Sequence, residues 1–402
     1  AVAEDNYSFE VTASDDGYTE WTKISVDTLT VMYSPKGAAI NRDPNSPYFG
    51  RIYIANGHPG TSSNTGAFYN GDGVYMYNST QDTIAFSDGG VDWSSSSNSP
   101  YKTTIGSDGS LYICDYGHDW LYQFDPDISV SSALLVLDDD NRVENQWLAA
   151  NWVSGTGADR AIYTADAHYS TGQGIKKYDI GLNATMPDND VGYVVIERPN
   201  GLYYQNDVEV GSDGSIYFCQ KRSAKGDITD KDDNIIENGK PVNEAYPLLK
   251  YPAYTGTILT IDDTLWAVPM TYTGANGIAL DEARNRVAWG DYYSGKVYVH
   301  NATTGELLWT VNWGNRTQDI AFDAVGNLYK ADNSAEYWTI MSPPDGANSY
   351  TTPGLTEITV ESGITVQPGD VVVNEIGEPY DMTNTWEDSY IELYNTTDAA
   401  ID

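Results

Sequence analysis

Six times along this chain a short strand of alternating apolar residues runs into a polar one. The six are "GRIYIAN" at 50–56, "GSLYICD" at 109–115, "RAIYTAD" at 160–166, "GSIYFCQ" at 214–220, "RVAWGD" at 286–291 and "GNLYKAD" at 326–332. Period-two alternation rich in Tyr, Ile and Val marks β-strands. Each is preceded across a tight turn by another strand, as Asp213-Gly214 links "NDVEVGS" to "GSIYFCQ". Two more follow: third strands "GVYMYN", "WLYQFD", "GIKKYD", "YPLLKY", "KVYVHN" and "EYWTIM", and fourth strands "TIAFSD", "ALLVLD", "YVVIER", "TILTID", "ELLWTV" and "EITVES". Six antiparallel units of four strands predict an all-β, six-bladed β-propeller, because radial packing of small sheets leaves only short, protected edges. A sandwich has no use for six equivalent hairpin pairs. Residues 1–35, with "FEV" and "EWTKISV", supply either a strand that closes the ring or a partial seventh blade.

At 402 residues the chain is long enough to bury a substantial core, and no apolar run is long enough to insert into a membrane. Acidic residues outnumber basic ones 58 to 21, for a formal charge of −37, which repels nucleic acid and favours cations, high salt or cationic surfaces. The start "AVAEDNYSF" reads as that of a processed or trimmed chain, and sequons at Asn6, Asn78, Asn183, Asn301, Asn315 and Asn395 add to an expectation of export. Cys114 and Cys219 hold equivalent places in blades two and four, too far apart by pseudo-symmetry for a disulfide, and are expected to be buried apolar residues.

The stretches "GSDGSLYICD" and "FDAVGNLYKAD" resemble NHL repeats, and three first strands are similar to those of the gluconolactonase and regucalcin-like (SMP-30-like) propellers, over roughly 36–362. That resemblance implies a divalent cation held by Glu, Asn, Asn and Asp at the starts of first strands, oxygen ligands suited to Ca²⁺. "YQND" places Asn206 at one ligand position and "ANGIAL" places Asn276 at the second. Gln318 falls where the family has its Asp, with Asp319 one residue off and pointing to the other side, and Tyr101 falls where it has its Glu. The aligned ring reads Lys36, Tyr101, Asn151, Asn206, Asn276 and Gln318. It offers a divalent cation no anionic ligand. A slip of one residue restores Asp319, and the metal set becomes Asn206, Asn276 and Asp319.

Other candidate chemistry is sparse. His58, His118 and His168 follow the second strands of consecutive blades, near Asp115, Asp166, Asp291 and Asp332, and would make a zinc or copper site only if all three turned inward. Asp230, Asp232 and Asn234 alternate like the start of a calcium loop, but Ile235 and Pro241 stand where an EF-hand has Gly and Glu, which leaves a looser Ca²⁺ site or a solvated acidic loop. Gly-x-Ser-x-Gly, His-Glu-x-x-His and phosphate-loop motifs do not occur. The 32 tyrosines and 11 tryptophans suit sugar stacking, yet most lie in strands and are expected to fill the core.

Beyond a linker at 363–369, residues 370–402 carry "VNEI" at 373–376 and "IELYN" at 391–395, and resemble the start of a bacterial lamin-tail domain, an immunoglobulin-like module. The resemblance covers part of that module, whose open strand edges invite pairing with another chain. The expectation is a non-catalytic extracellular or cell-surface protein, of bacterial type, acting in binding, adhesion or assembly. Its partners would be other protein modules, a second copy in a filament or surface layer, or surface glycans. No cofactor is required on that reading, with Ca²⁺ allowed for. The alternative is a divalent-metal-dependent lactonase of the gluconolactonase type.

Overall fold

The computed structural model describes residues 8–11, 21–25, 30–78, 82–95, 99–130, 132–138, 148–166, 174–186, 192–197, 204–221, 228–229, 235–237, 247–268, 274–312, 316–344, 371–377 and 390–395. Six antiparallel sheets form the blades of the propeller, within a compact unit spanning Ala1–Pro353. Blade one contains Pro35–Ile40, Ile52–Asn56, Gly73–Tyr77 and Thr83–Ser87; blade two contains Thr103–Ile105, Leu111–Asp115, Trp120–Phe124 and Leu134–Asp138. Blade three contains Leu148–Ser154, Ala161–Asp166, Gly174–Tyr178 and Tyr193–Glu197; blade five contains Ala275–Asp281, Arg286–Asp291, Lys296–Asn301 and Leu307–Asn312.

The alternation in the second strands does not separate core from solvent, because these strands are buried on both faces. It sends successive side chains to two different neighbours. Ile52 and Ile54 pack with Tyr329 and Ala331 of blade six, whereas Tyr53 between them packs with Leu111 and Ile113 of blade two. Tyr112 and Cys114 face Ile162 of blade three, Ile216 and Phe218 face Ala161 and Ala165, Tyr217 and Cys219 face Val287 and Trp289, and Ala288 faces Leu328. Six apolar clusters therefore fill six inter-blade seams.

The two cysteines sit in separate seams, both free and buried, and burial pushes both thiols well up from their usual range. We expect no reaction with a thiol reagent in native protein and two thiols per chain in denaturant. Appreciable native labelling would show that a seam opens.

Two fourth strands differ from expectation. In blade four, Tyr204–Val210, Ile216–Lys221 and Leu248–Tyr251 are completed by Trp266–Ala267, not by "TILTID" at 257–262. Leu259 there makes a parallel bridge to Ile196 of blade three, and Ile261–Asp263 winds into a 3₁₀ turn held by the Thr260–Asp263 capping box. In blade six, Asp319–Phe322, Leu328–Asp332 and Tyr337–Ser342 are followed by Thr22–Ser25, with Thr22 opposite Ser342 and Ile24 opposite Ile340. Thr30–Val31 also pairs with Tyr337–Ser342, and Ser8–Val11 adds outside Thr22–Ser25. The segment 1–35 thus contributes strands to blade six, while "EITVES" at 357–362 lies outside the described residues.

Trp21, 2% exposed, enters the seam between blades five and six and meets the Trp309 ring edge-on at 5.9 Å. Met32 is buried in the next seam, between blades six and one. In the unit Gly354–Asp402, Val371–Gly377 pairs antiparallel with Tyr390–Asn395. The rest of the lamin-tail expectation lies outside the described residues.

Candidate functional site at the propeller axis

The six first strands surround the axis, and four of them, in blades one, three, four and five, begin with a β-bulge at Pro35/Gly37, Leu148/Ala150, Gln205/Asp207 and Ala275/Gly277. A bulge sets two residues against one and breaks strict alternation, so neighbouring residues such as Asn206 and Asp207 both find partners around the axis. Gly37 lets blade two approach closely: a Cβ there would lie 2.2 Å from the Tyr101 carbonyl oxygen.

Lys102, at the start of blade two, is the centre of the arrangement. Its ammonium is buried across the axis, 2.5 Å from Asp319 Oδ1 and 3.2 Å from Asp207 Oδ2, and it donates to the Gln318 carbonyl at 3.2 Å. The other carboxylate positions are also in use. Asp319 Oδ2 accepts from the Ala38 amide of blade one, and Asp207 accepts from the amides of Ile278 and Val208. The bridge therefore fastens blades one, two, four, five and six to one another.

Burial opposes the charge on Lys102, but Asp207 and Asp319 outweigh it and hold the ammonium above its ordinary pKa. Burial raises both acids, with Lys102 pulling each back. One ammonium balances one carboxylate, so the second acid is drawn toward its protonated form.

The residues singled out in the sequence surround the starts of these strands. Tyr101 and Asn276 contact each other at 3.3 Å, and Asn276 Nδ2 donates to the Gln318 carbonyl at 2.7 Å. Asn206 Nδ2 donates to the Ala275 carbonyl at 2.8 Å. Burial pushes the Tyr101 phenol up to about 12, and burial followed by Arg316 brings Lys36 down to about 8. Asn151 is turned to blade two, where it accepts from Thr104 at 2.6 Å and contacts Cys114 Sγ at 3.2 Å.

A divalent cation does not suit this donor set. The side chains of Asn206 and Asn276 donate through Nδ2 and offer a metal only neutral amide oxygens, the Tyr101 phenol stays neutral, and both oxygens of Asp319 are committed to Lys102 and Ala38. Asp319 was expected to point away from the axis; its carboxylate lies on it, bound to a lysine of its own chain.

Among the described residues the histidines form no metal site. His118 Nδ1 lies 3.0 Å from Asp115 Oδ2 and its ring packs tilted against Trp120 at 4.5 Å, while His168 lies outside the described residues. Among the described residues no cluster of His, Cys, Asp or Glu has metal-binding geometry. Asp115, Asp291 and Asp332 instead cap the turns after their strands, accepting from backbone amides of Gly117, Tyr293 and Ser334. Asp230, Asp232 and Asn234 also lie outside the described residues.

A feature missed in the sequence opens at the other end of the same strands. A funnel of about 600 Å³ runs from Lys102, Asp207 and Asp319 to the turns that follow the first strands, at Gly106, Gly155, Gly211 and Glu282. Glu209 and Trp152 line its wall. The signal was present in "NDVEV", where Asp207 and Glu209 occupy alternate positions and so share the inward face.

No protein-family model matches this chain, and no curated protein matches it. Among solved structures, it is similar to a hydrazine synthase from Kuenenia stuttgartiensis, with 14% identity and a TM-score of 0.47 over 79% of this chain and 97% of that one. It is also similar to a gluconolactonase from Xanthomonas campestris, with 12% identity and a TM-score of 0.48 over 84% of this chain and 95% of that one.

Proposed function

We propose that this propeller is a binding module without hydrolytic chemistry of its own, working outside the cell or at its surface. The observation that supports this is Lys102, whose ammonium engages both axial carboxylates, Asp207 and Asp319. A metal-dependent lactonase needs carboxylates free to hold its ion. In this reading the strand-start rim is a rigid polar surface and the buried bridge below it is structural.

Calorimetric titration with Ca²⁺, paired with a gluconolactone hydrolysis assay, tests the reading. We expect no saturable Ca²⁺ site that depends on Asn206 and no turnover. Hydrolysis that requires Ca²⁺ and is lost in Asn206→Ala, with folding unchanged, would overturn it.

Assembly is the bolder part of the proposal. Val371–Gly377 and Tyr390–Asn395 form a two-stranded sheet, and a hairpin by itself is only marginally stable in water, which favours its extension by further strands. Concentration-dependent association of the whole chain in sedimentation supports self-assembly, and a strictly monomeric chain counts against it.

A further inference from the structure

The funnel is lined by a carboxylate, that of Glu209, with one buried oxygen left without a donor. Among the charged groups facing it, Lys102, Asp207 and Asp319 are tied to each other. Arg42 donates from Nη1 to the Leu280 carbonyl at 2.7 Å, and Glu282 Oε1 accepts from both the amide and the hydroxyl of Ser212. Glu209 differs: its carboxylate takes one backbone hydrogen bond, from Leu280, but its Oε2 is shut off from bulk solvent and has no hydrogen-bond partner. Among the described residues no cation comes within ion-pair distance of it. Such an oxygen costs free energy until something donates to it.

We propose that the funnel binds a small organic cation, a primary ammonium or guanidinium group docking on Glu209 with its carbon chain along Trp152. The volume lies within the range of small-molecule sites. The charges facing the cavity favour a cation, since Asp43, Asp207, Glu209, Glu282 and Asp319 outnumber Arg42 and Lys102, and both of these cations are already bonded. An anion would meet no free donor of opposite charge, a neutral sugar would leave Glu209 unbalanced, and a divalent metal would find one free carboxylate oxygen where it needs several. Trp152 adds an aromatic face of the kind on which cations rest. The formal charge of −37 raises the local concentration of such ligands around the whole molecule.

The proton balance supplies an independent readout. Burial pushes the Glu209 carboxyl well above its usual range, with Arg42 pulling it back and Asp207 adding to the rise. An arriving ammonium pairs with the ionised form, so binding should release a proton.

This inference deepens the binding reading and rests on it. The experiment is calorimetry on the full chain with spermidine as probe, in two buffers of different ionisation enthalpy, with glutarate and glucose as anionic and neutral controls. We expect spermidine to bind with net proton release, the controls to give no heat, and Glu209→Gln to weaken binding by about tenfold or more. Glu209→Asp, which keeps the charge, should retain most of the affinity. Glu209→Gln replaces a buried carboxyl with a neutral amide of nearly the same shape and should melt no lower than the parent, so a loss of binding would not reflect unfolding. Equal affinity in Glu209→Gln would reduce the attraction to the acidic surface at large and overturn the proposal, as would silence with spermidine. Gluconolactone turnover with the amine site intact would instead overturn the non-catalytic reading and leave this inference standing.

Discussion

Lys102→Met is expected to cost the propeller about 3–5 kcal/mol at neutral pH, the usual penalty for orphaning a buried ion pair. The variant removes the only counter-charge that touches Asp207 and Asp319 among the described residues, and leaves two buried acids facing each other across the axis. The pH dependence has a definite sign. Both acids already have raised folded-state pKa values, because burial disfavours their charge, and without the ammonium they rise further. A group with a raised folded pKa contributes stability that is complete below its unfolded pKa and lost as pH rises through the folded value. The variant should therefore be most handicapped at neutral and alkaline pH and recover on acidification toward pH 4–5, roughly the ordinary carboxylate range. Urea unfolding of parent and variant at several pH values measures this directly. A penalty that is small, or independent of pH, would mean that the bridge does not hold the axis together. Adding Asp207→Asn and Asp319→Asn to Lys102→Met should restore much of the loss, since replacing every member of a buried ionic cluster is far less costly than orphaning one.

Trp21→Ala should destabilise the protein by about 3–5 kcal/mol, as expected for emptying a fully buried indole site. Trp21 is anchored in the seam of blades five and six and directly precedes the strand Thr22–Ser25, which pairs with Tyr337–Ser342. Its loss should loosen that strand as well as leave a cavity. Hydrogen exchange offers the discriminating measurement: protection should fall most in Tyr337–Ser342 and least in blades two and three. A uniform fall across all blades would show that the N-terminal strand is not a local clasp, and no fall would show that blade six is complete without it. Deleting residues 1–29 should exceed the single substitution, because the pairing goes with the side chain.

The six-bladed architecture was legible because it is written six times, and each second strand carries a hairpin signal that neighbouring repeats reinforce. Blade six was harder to read because its outer strands come from the other end of the propeller unit, and no local pattern marks which distant segment will fill an open edge. The axial arrangement was only partly legible for a related reason. Tyr101, Asn206, Asn276 and Gln318 were placed around the strand starts, where they are found, but Lys102 was passed over and Asp319 was assigned to the far side. Bulges break strict alternation in the first strands of blades one, three, four and five, which brings Asp207 to the axis beside Asn206, whereas the first strands of blades two and six, next to Lys102 and at Asp319, pair without a register shift. The partnership of residues 102, 207 and 319 is also set by how three blades meet, a property of the ring and not of any one repeat.

The closing of blade six has a kinetic consequence. Thr22 and Ser342 are 320 positions apart, whereas the four strands of blades two, three and five are consecutive in the chain. Joining ends so distant costs about 3 kcal/mol more in chain entropy than closing a ten-residue hairpin loop. On a ribosome, blade one would emerge early and wait, with the seam it will share with blade six uncovered, until residue 342 has been made. Ring closure should then be the last and slowest event in folding, and the interval before it is when this chain is most open to pairing with a neighbour.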